Sequence, residues 1–279
     1  MKRVFGAKKA GHCGTLDPDA TGVLVVCLGR ATRLANYIQA RPKQYRAVLK
    51  LGETTDTQDA SGVVLERRDT TGVTLAMVCE AARSFVGEIE QVPPMYSALK
   101  MGGKPLHRMA RKGVVVERAP RRVMIYDLRM EAVDIPFVTF SVECSKGTYI
   151  RTICEDMGRA LGTGGHMLSL ERTGAGGFGI ADARGFDELD ESSLIEPAMA
   201  LSFLPVCGLS GESARRILHG NPVPADDCAF ELEPEEDESF RLQGHDGEFY
   251  GIGRLKDGLM AVECLIRDVA VLTNPGCVG

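Results

Sequence analysis

The chain has 279 residues, of which 44% are apolar and 25% charged. That balance is typical of a folded globular protein and excludes a largely disordered chain, and at about 150 residues per domain the length suits one large domain or two unequal ones. Because no apolar run approaches the ~18 residues of a membrane span, or the length of a signal-peptide core, we expect a cytoplasmic protein. The nine cysteines form no C-x-x-C pair and do not cluster with the five histidines, which favours free thiols over a zinc site.

Positive charge is concentrated in two segments, although the whole chain has a net charge of −5. Residues 1–50 hold ten Lys and Arg against two Asp and Glu, and residues 100–122 hold eight against one. Residues 201–250 have the opposite balance, three against eleven. Local positive patches of this kind favour a polyanionic partner such as a nucleic acid, with scattered surface charges as the alternative.

The first part of the chain contains both strand and helix patterns. A continuous apolar run is typical of a buried strand, strict alternation of a half-buried strand, and apolar residues three or four apart of a helix. On these criteria we predict a buried strand over 23–28, a short helix over 31–38, a strand over 45–51, a loop over 52–62, a strand over 63–65 and a helix over 74–86.

The remainder of the chain changes character near residue 205, where we predict a domain boundary. The patterns predict a strand over 137–144, an amphipathic helix over 148–161 capped by Gly162, a connector over 194–205, an acidic stretch over 231–238, and strands over 249–252 and 259–266. Because the strands are joined largely by hairpins rather than by crossover helices, the fold class that we predict is α+β.

The densest candidate for chemistry is the segment from Gly11 to Gly22, whose three glycines allow sharp turns and close approach of a ligand. Pro18 favours an extended conformation at Asp17, which would hold this carboxylate on a stiff loop, as suits a nucleophile or a general base. The alternative is that Asp17 only caps an Asp-Pro turn. Asp19 is a second carboxylate, but on a loop it need not face Asp17 as a glycosidase pair would.

A second candidate lies at a predicted strand-to-helix turn over residues 144–152. The free N–H groups at the start of a helix attract anions. Arg151 could fork onto a carboxylate or phosphate, or could pair with Glu155 one turn later on the surface. Tyr149 and Tyr45 could stack on a base, or could pack in the core.

The basic segment 100–122 is a third candidate. Pro105 suits the first turn of a short helix, and basic side chains would then line its solvent side: Lys104, Arg108, Arg111 and Lys112. Such a helix between glycine-rich hinges could clamp a phosphate backbone, and the alternative is a solvated helix face.

Taken together, these motifs resemble the TruB family of tRNA pseudouridine synthases. The resemblance runs through G-H-x-G-T-L-D-P-x-A-x-G at 11–22, L-G-x-A-T at 28–32, Y-R at 45–46, T-D-T-x-D-A-x-G at 55–62, P-M-Y-S-A-L-K at 94–100, C-S-K-G-T-Y-I-R-T at 144–152, and His166, Leu170 and Arg172. Further on, A-R-R-I-L-H-G-N-P-V at 214–223 resembles the start of the PUA-like RNA-binding domain of such enzymes.

The resemblance implies a reaction. The N1–C1′ bond of uridine 55 in the TΨC loop of tRNA breaks, and the base rotates and rejoins through C5, with no metal, nucleotide or redox cofactor. Asp17 would be the catalytic aspartate, by attack on C1′ or by removal of a proton at C2′. Arg151 would pair with Asp17 and hold it ionised, while Tyr45 would stack on the flipped uracil and could act as a base late in the reaction.

Further residues for substrate binding follow from the same resemblance. Tyr149 and Leu170 would complete an apolar pocket, and His12 would act in base flipping and tRNA placement. Lys146 would also bind the substrate, and the basic side chains of the segment 100–122 would contact phosphates. We expect a monomer whose partner is the T-arm of tRNA.

A division into two domains is implied as well. Residues 1–205 would form the catalytic domain, with a mixed, mainly antiparallel sheet flanked by helices and a thumb-like basic insertion at about 94–122. Residues 206–279 would form a small β-rich PUA-like domain that reaches the acceptor stem. The net negative charge of this region, however, does not favour a high affinity for RNA.

The N-terminus departs from the family pattern, because family members begin further upstream with an apolar strand and a Lys-Pro-x-Gly segment. Two other hypotheses therefore accompany the leading one. A tRNA-binding or folding protein whose catalysis is impaired by a missing strand predicts RNA binding without isomerisation. A glycoside or nucleoside hydrolase that uses Asp17 predicts release of free uracil.

Overall fold

The computed structural model describes residues 1–97, 99–110, 112–114, 116–231 and 233–266, with the backbone but not the side chains of residues 100, 104, 105 and 107. Contacts group these residues into two compact units. The large unit comprises residues 14–25 and 39–183, and the small unit comprises residues 1–13, 26–38 and those from 184 onward. No helix in these ranges is long and apolar enough to cross a membrane.

The secondary structure of these residues mixes short and long elements. The strands are β1 (Ala10–His12), β2 (Thr21–Gly22), β3 (Val26–Leu28), β4 (Lys43–Leu51), β5 (Glu53–Thr55), β6 (Val64–Arg67), β7 (Gly87–Gln91), β8 (Lys100–Met101), β9 (Lys104–Pro105), β10 (Arg121–Asp134), β11 (Phe137–Cys144), β12 (Gly165–Ala175), β13 (Phe178–Gly179), β14 (Val206–Leu209), β15 (Val223–Pro224), β16 (Cys228–Phe230), β17 (Ser239–Gly244), β18 (Phe249–Lys256) and β19 (Leu259–Leu265). The α-helices are α1 (Ala35–Ala40), α2 (Leu75–Arg83), α3 (Leu106–Ala110), α4 (Ile150–Ala160), α5 (Pro197–Ala200) and α6 (Gly211–Leu218). Short 3-10 helices occupy Gly29–Leu34, Ile180–Asp182, Phe186–Glu188, Glu191–Ser193 and Ala225–Asp227.

The large unit is built on one sheet with the strand order β13-β12-β4-β11-β10-β7. Each neighbouring pair in this order is antiparallel, and β2 adds a parallel pairing to β12. The prediction of a mixed, mainly antiparallel sheet is therefore confirmed. The pairing of β12 with β4 sets Arg172 opposite Tyr45, which brings two motifs that are far apart in sequence onto neighbouring strands.

The core of the large unit lies where this sheet packs against α2 and α4. Alternate residues of a strand point to the same face, so the alternating apolar patterns of β4 and β11 each supply one buried row. The buried core residues of these four elements are Ala47, Leu49, Leu51, Val78, Ala82, Val138, Phe140, Val142, Cys144, Ile150, Ile153, Cys154 and Met157. The predicted strands over 45–51 and 137–144 are confirmed.

The two core helices end at local signals in the sequence. Helix α2 begins where the Thr74 hydroxyl accepts a 3.4 Å hydrogen bond from the Met77 amide, which satisfies one free N–H of the first turn. It ends at Arg83, earlier than predicted, because a turn leads into β7 at Gly87 with φ of +106°. Helix α4 ends just before Gly162, whose φ of +75° suits a glycine after a helix C-terminus.

Three predictions in the first part of the chain were wrong in detail. The run 23–28 is not one buried strand: only Val26–Leu28 is strand, and Leu24 is 41% exposed. The backbone explains the break, because the Val23 amide donates to the Arg172 carbonyl whereas β3 pairs with β1. The predicted helix over 31–38 is a 3-10 helix followed by α1, and the predicted loop 52–62 contains β5, which pairs with β6 as a hairpin.

Two short helices also differ from expectation. Pro105 does not lie in the first helical turn; it closes the β8–β9 hairpin pairing, and α3 begins one residue later. The predicted connector over 194–205 contains α5, whose first residue is Pro197. Proline suits that position because its missing N–H would have no partner there.

The small unit contains a six-stranded sheet with the order β15-β19-β18-β17-β14-β16, in which only the β14–β17 pair is parallel. Helix α6 is capped at its N-terminus by Ser210, whose hydroxyl accepts a 3.2 Å hydrogen bond from the Ser213 amide. The core of the small unit includes Ile217, Phe240 and Leu242. All of these strands and α6 come from residue 206 onward, so the C-terminal region is β-rich as predicted.

Candidate active site

Asp17 lies on the loop that joins Gly14 to Gly22 in the large unit. Both glycines have positive φ, of +122° and +99°, which favours residues without a Cβ. A Cβ on Gly22 would collide with the backbone of Arg172, and the next amide, of Val23, donates a 2.8 Å hydrogen bond to the Arg172 carbonyl. The Asp17 side chain is 40% exposed, so the loop presents its carboxylate to solvent.

Arg151, in the first turn of α4, joins two carboxylates. Its side chain is only 5% exposed, and its guanidinium forms an ion pair with Asp17. Its Nη1 lies 3.0 Å from Oδ2 of Asp59 and also donates to the carbonyls of Thr57 and Tyr96, at 3.5 and 3.4 Å. The structure therefore brings together Asp17 and Arg151, which are 134 positions apart in sequence, and adds a second acidic residue to the pair.

Asp59 is the member of this cluster to which the sequence analysis assigns no function. Its side chain is 15% exposed, and its Oδ1 accepts hydrogen bonds from the hydroxyls of Thr57 and Ser61, both at 2.6 Å, and from the Ser61 amide at 3.1 Å. The signal that could have revealed it is the T-D-T-x-D-A-x-G motif. In this motif the Asp59 carboxylate follows two threonines, at 55 and 57, with short polar side chains. Oδ1 of Asp59 thus accepts hydrogen bonds from its own loop, and the other carboxylate oxygen faces Arg151.

Helix α4 also holds the loop that carries Asp59. Gln58 has a left-handed backbone conformation, with φ of +63°. Its side-chain oxygen accepts a 2.9 Å hydrogen bond from Thr152, and its amide nitrogen donates to Glu155. Glu155, the alternative partner considered above for the active-site arginine, lies 3.4 Å from Arg159 instead. One helix therefore positions both sides of the arginine–aspartate contact.

Tyr45 lies on β4, half-buried, and packs against the core cluster that contains Leu170 of β12. Burial raises the pKa of the Tyr45 phenol, and the charges of Cys144 and Asp17 raise it further. The charge of Arg172 and its hydrogen bond to the phenol lower that pKa, by a smaller amount. The phenol therefore stays protonated at neutral pH, close enough to Asp17 to respond to its charge.

Tyr149 and Leu170 complete the set of apolar candidates in the large unit. Tyr149 is the residue that precedes α4; its amide donates to the Gln91 side chain at 3.0 Å, and its carbonyl accepts from the same side chain at 3.2 Å. Leu170 is buried and pairs with Ala47 in the sheet. Lys146 is exposed on the turn before α4.

The candidate RNA-binding residues are divided between the two units. His12 lies on β1 in the small unit and is exposed. Arg108 and Lys112 are exposed in and just after α3, and Lys104 belongs to β9. Arg111 and the side chain of Lys104 lie outside the described residues.

Comparison with known proteins assigns the chain to a family. Residues 2–150 match the family model described as TruB family pseudouridylate synthase (N terminal domain), and residues 151–200 match tRNA pseudouridylate synthase B C-terminal domain. Residues 205–266 match Pseudouridine synthase II TruB, C-terminal. The chain belongs to the TruB family of pseudouridylate synthases. The predicted family membership and the prediction that the protein is an enzyme, an isomerase, are confirmed.

Individual members of the TruB family are similar in sequence to this chain over most of its length. The tRNA pseudouridine synthase B of Symbiobacterium thermophilum is 49% identical over 227 residues, which cover 79% of this chain and 75% of that protein. The protein of the same name from Burkholderia mallei is 43% identical over 272 residues, which cover 95% of this chain and 90% of the relative. The one from Syntrophotalea carbinolica is 43% identical over 254 residues, 88% of this chain and 83% of the relative.

Solved structures support the same fold. A chain in the crystal structure of a Cbf5-Nop10-Gar1 complex superposes with a TM-score of 0.76 at 22% identity, over 98% of this chain and 81% of that one. A chain in the structure of an H/ACA RNP bound to a substrate RNA superposes with a TM-score of 0.72 at 21% identity, over 96% of this chain and 79% of that one. The pseudouridine synthase fold predicted from the motifs is therefore confirmed.

Proposed function

We propose that this TruB-family enzyme converts uridine 55 in the TΨC loop of tRNA to pseudouridine, with Asp17 as its catalytic aspartate. The observation that carries the proposal is the pairing of an accessible Asp17 carboxylate with a buried Arg151 guanidinium. A carboxylate that only capped a turn would not need a buried arginine. The relatives that are named tRNA pseudouridine synthase B support tRNA as the substrate.

The reaction requires that the N1–C1′ bond of uridine break and that a C5–C1′ bond form, with loss of the hydrogen on C5 and gain of a proton at N1. Asp17 can serve by attack on C1′ or by removal of the C2′ proton. In either route its carboxylate must keep one orientation, and the charge-assisted contact of its Oδ2 with Nη2 of Arg151 favours one. Asp59 contacts the opposite side of the Arg151 guanidinium and so restrains its plane.

The target base must leave the folded loop of the RNA before this chemistry, at a cost of a few kcal/mol. Tyr45 would stack on the extruded uracil, and base–aromatic stacking contributes about 1–3 kcal/mol toward that cost. Because its pKa is raised, Tyr45 meets the uracil as a neutral phenol, so a role as a base late in the reaction requires that it first lose its own proton. Tyr149 and Leu170 would complete the apolar walls, with no cofactor or metal taking part.

The RNA would be held by basic side chains and by the C-terminal region. We assign tRNA placement to His12 and Lys146 and phosphate contacts to Lys104, Arg108, Arg111 and Lys112, which predicts salt-dependent affinity. Residues 1–205 would form the catalytic domain, with the thumb at about 94–122, and residues 206–279 the PUA-like domain on the acceptor stem. The sheet built entirely from residue 206 onward supports this division. The enzyme would act as a monomer in the cytoplasm.

Tritium release from a T-arm stem-loop that carries 5-tritiated uridine tests the proposal. The wild-type protein should release tritium, because C5 loses its hydrogen when it bonds to C1′. Asp17→Asn should release none and still bind the RNA, whereas Asp19→Asn, which changes an exposed carboxylate on the same loop, should be active. Release by Asp17→Asn at the wild-type rate would contradict the assignment.

The same assay separates the other two hypotheses. A binding or folding protein would retain the RNA without releasing tritium, and a hydrolase would release free uracil that chromatography detects. A hydrolase also needs a second carboxylate free to act on the sugar or on water. Asp59, the other carboxylate that contacts Arg151, is 15% exposed and occupied by Arg151 and Ser61, which does not favour the hydrolase hypothesis.

A further inference from the structure

Arg172 is among the largest fully buried side chains of the residues that the structure describes, and it is 1% exposed. A buried charge is costly unless it is paired or fully hydrogen-bonded. Within the described part of the chain its guanidinium has no carboxylate partner within ion-pair distance. It is satisfied instead by backbone carbonyls: Nε donates to Val23 at 2.7 Å, Nη1 to Thr15 at 3.3 Å and Nη2 to Gly14 at 3.3 Å.

These three carbonyls belong to the two ends of one loop. Gly14 and Thr15 begin the segment that carries Asp17, and Val23 follows its end at Gly22. Arg172 also accepts, through its own carbonyl, the 2.8 Å hydrogen bond from the Val23 amide. Side chain and backbone of one residue thus close the base of the Asp17 loop, and the guanidinium, with five N–H donors in a fixed fork, can reach three separated acceptors at once.

Arg172 also connects this loop to the rest of the candidate pocket. It pairs with Tyr45 in the β4–β12 register, and its positive charge acts to lower the pKa of the Tyr45 phenol. Leu170 is two residues earlier on the same strand. Arg151 reaches Asp17 from α4, so the aspartate is held at its carboxylate by one arginine and at the base of its loop by another.

We propose that Arg172 is a positioning residue for the pseudouridine synthase reaction: it fixes the Asp17 loop against β12 and so sets the position of Asp17 relative to Tyr45. The proposal rests on the proposed function of Asp17. Arg172 does not touch the RNA in this scheme and acts through the loop, so its loss should impair the chemical step more than binding. A displacement of the order of 1 Å at a reacting group can lower a rate by about 100-fold.

The test compares Arg172→Lys and Arg172→Met with a matched arginine. Arg241, in the small unit, makes the same kind of contact, because its Nε donates to the Leu204 carbonyl at 2.8 Å and its Nη1 to the Ala198 carbonyl at 3.2 Å. Arg241→Lys therefore removes equivalent carbonyl contacts from a different loop. Single-turnover tritium release and RNA affinity would be measured for all variants, at a temperature at which each is fully folded.

We expect the single-turnover rate of Arg172→Lys to fall by about 10- to 100-fold, with RNA affinity changed by less than about threefold. Arg241→Lys should retain the wild-type rate. If Arg172→Met does not fold, Arg172→Lys alone decides, since it keeps the charge and most of the volume. A wild-type rate for Arg172→Lys, or an equal loss for Arg241→Lys, would overturn the proposal.

Amide hydrogen exchange provides a readout that does not depend on activity. In Arg172→Lys the Val23 amide and its neighbours in the segment 14–23 should exchange about tenfold faster or more, while the segment 53–62 should not change. If the wild-type protein releases no tritium but exchange in 14–23 rises, the proposed function fails and the anchoring of the loop is supported. Unchanged exchange in 14–23 would refute the anchoring whatever the activity.

Discussion

Replacement of Asp59 by Asn tests how far the second carboxylate controls the Asp17–Arg151 pair. The two oxygens of Asp59 have different partners: Oδ2 faces Nη1 of Arg151 at 3.0 Å, and Oδ1 accepts from Thr57, Ser61 and the Ser61 amide. An asparagine has one acceptor oxygen. Whichever way its amide is turned, either the guanidinium or the Ser61 amide meets an N–H group and loses its acceptor.

The magnitude follows from the loss of one hydrogen bond to a charged group, which is about 1.5–3 kcal/mol. Arg151 keeps Asp17 and two carbonyl acceptors, so the full penalty of an unpaired buried charge does not apply. If the lost contact orients Arg151 during the reaction, the rate falls by about 10- to 100-fold, because each 1.36 kcal/mol corresponds to a factor of ten. If the contact is only structural, the free energy of unfolding falls and the rate of the folded enzyme does not.

Single-turnover tritium release, RNA binding and urea unfolding would be measured together for Asp59→Asn and a control. Asp156→Asn is the control, because Asp156 pairs at 2.7 Å with Arg159, whose side chain is 69% exposed, on the same helix as Arg151. An exposed pair contributes about 0–1 kcal/mol, so this variant should behave as wild type. The reasoning is refuted if Asp59→Asn reacts within about threefold of the wild-type rate, or if Asp156→Asn loses as much.

Three other changes test packing, ionisation and thiol chemistry. Gly158→Ala should lower the free energy of unfolding by about 1–3 kcal/mol in urea titrations. The added Cβ would collide with the backbone of Gly164 and Gly165, and this collision outweighs the helix propensity gained. In Gly211→Ala, in α6, nothing lies near the added Cβ, so the free energy of unfolding should stay the same or rise by up to about 1 kcal/mol. The Tyr45 pKa is raised in the folded state, so the contribution of this phenol to the free energy of unfolding is complete below the ordinary value of 10.0 and is lost as the pH rises through the higher folded value. The loss of stability between pH 9 and 11 should therefore be smaller in Tyr45→Phe than in the wild type. An equal loss in both proteins would contradict the burial of the phenol as the cause. The Sγ atoms of Cys13 and Cys27 are 3.5 Å apart, so hydrogen peroxide should oxidise the two thiols to a disulfide with loss of two hydrogens, to be seen by mass spectrometry and reversed by dithiothreitol, whereas Cys27→Ser should show no such link.

Local patterns in the sequence were sufficient to predict the central strands and the main helix of the large unit. The alternation over 45–51 and 137–144 and the helical spacing after Thr148 depend on near neighbours, since strand and helix periods are properties of a few consecutive residues. The motifs also identified the family, because each of them places unusual residue types at fixed short spacings. The apolar run 23–28 misled the same reasoning, since its backbone is divided between two pairings that the run itself does not reveal.

The composition of the site depended on tertiary structure. From residues alone, Arg151 could equally have paired with Glu155 on its own helix, and the motifs that contain Asp59 and Arg172 indicated no role for either residue. The packing of α4 against the loop at 55–62 brings Asp59 to Arg151, and the register of β12 against β4 and β2 buries Arg172 beside the Asp17 loop. Contacts between such distant positions are determined by strand register and helix packing. The sequence by itself therefore determined the central strands, the main helix and the family of the chain, while the fold decided which charged groups meet.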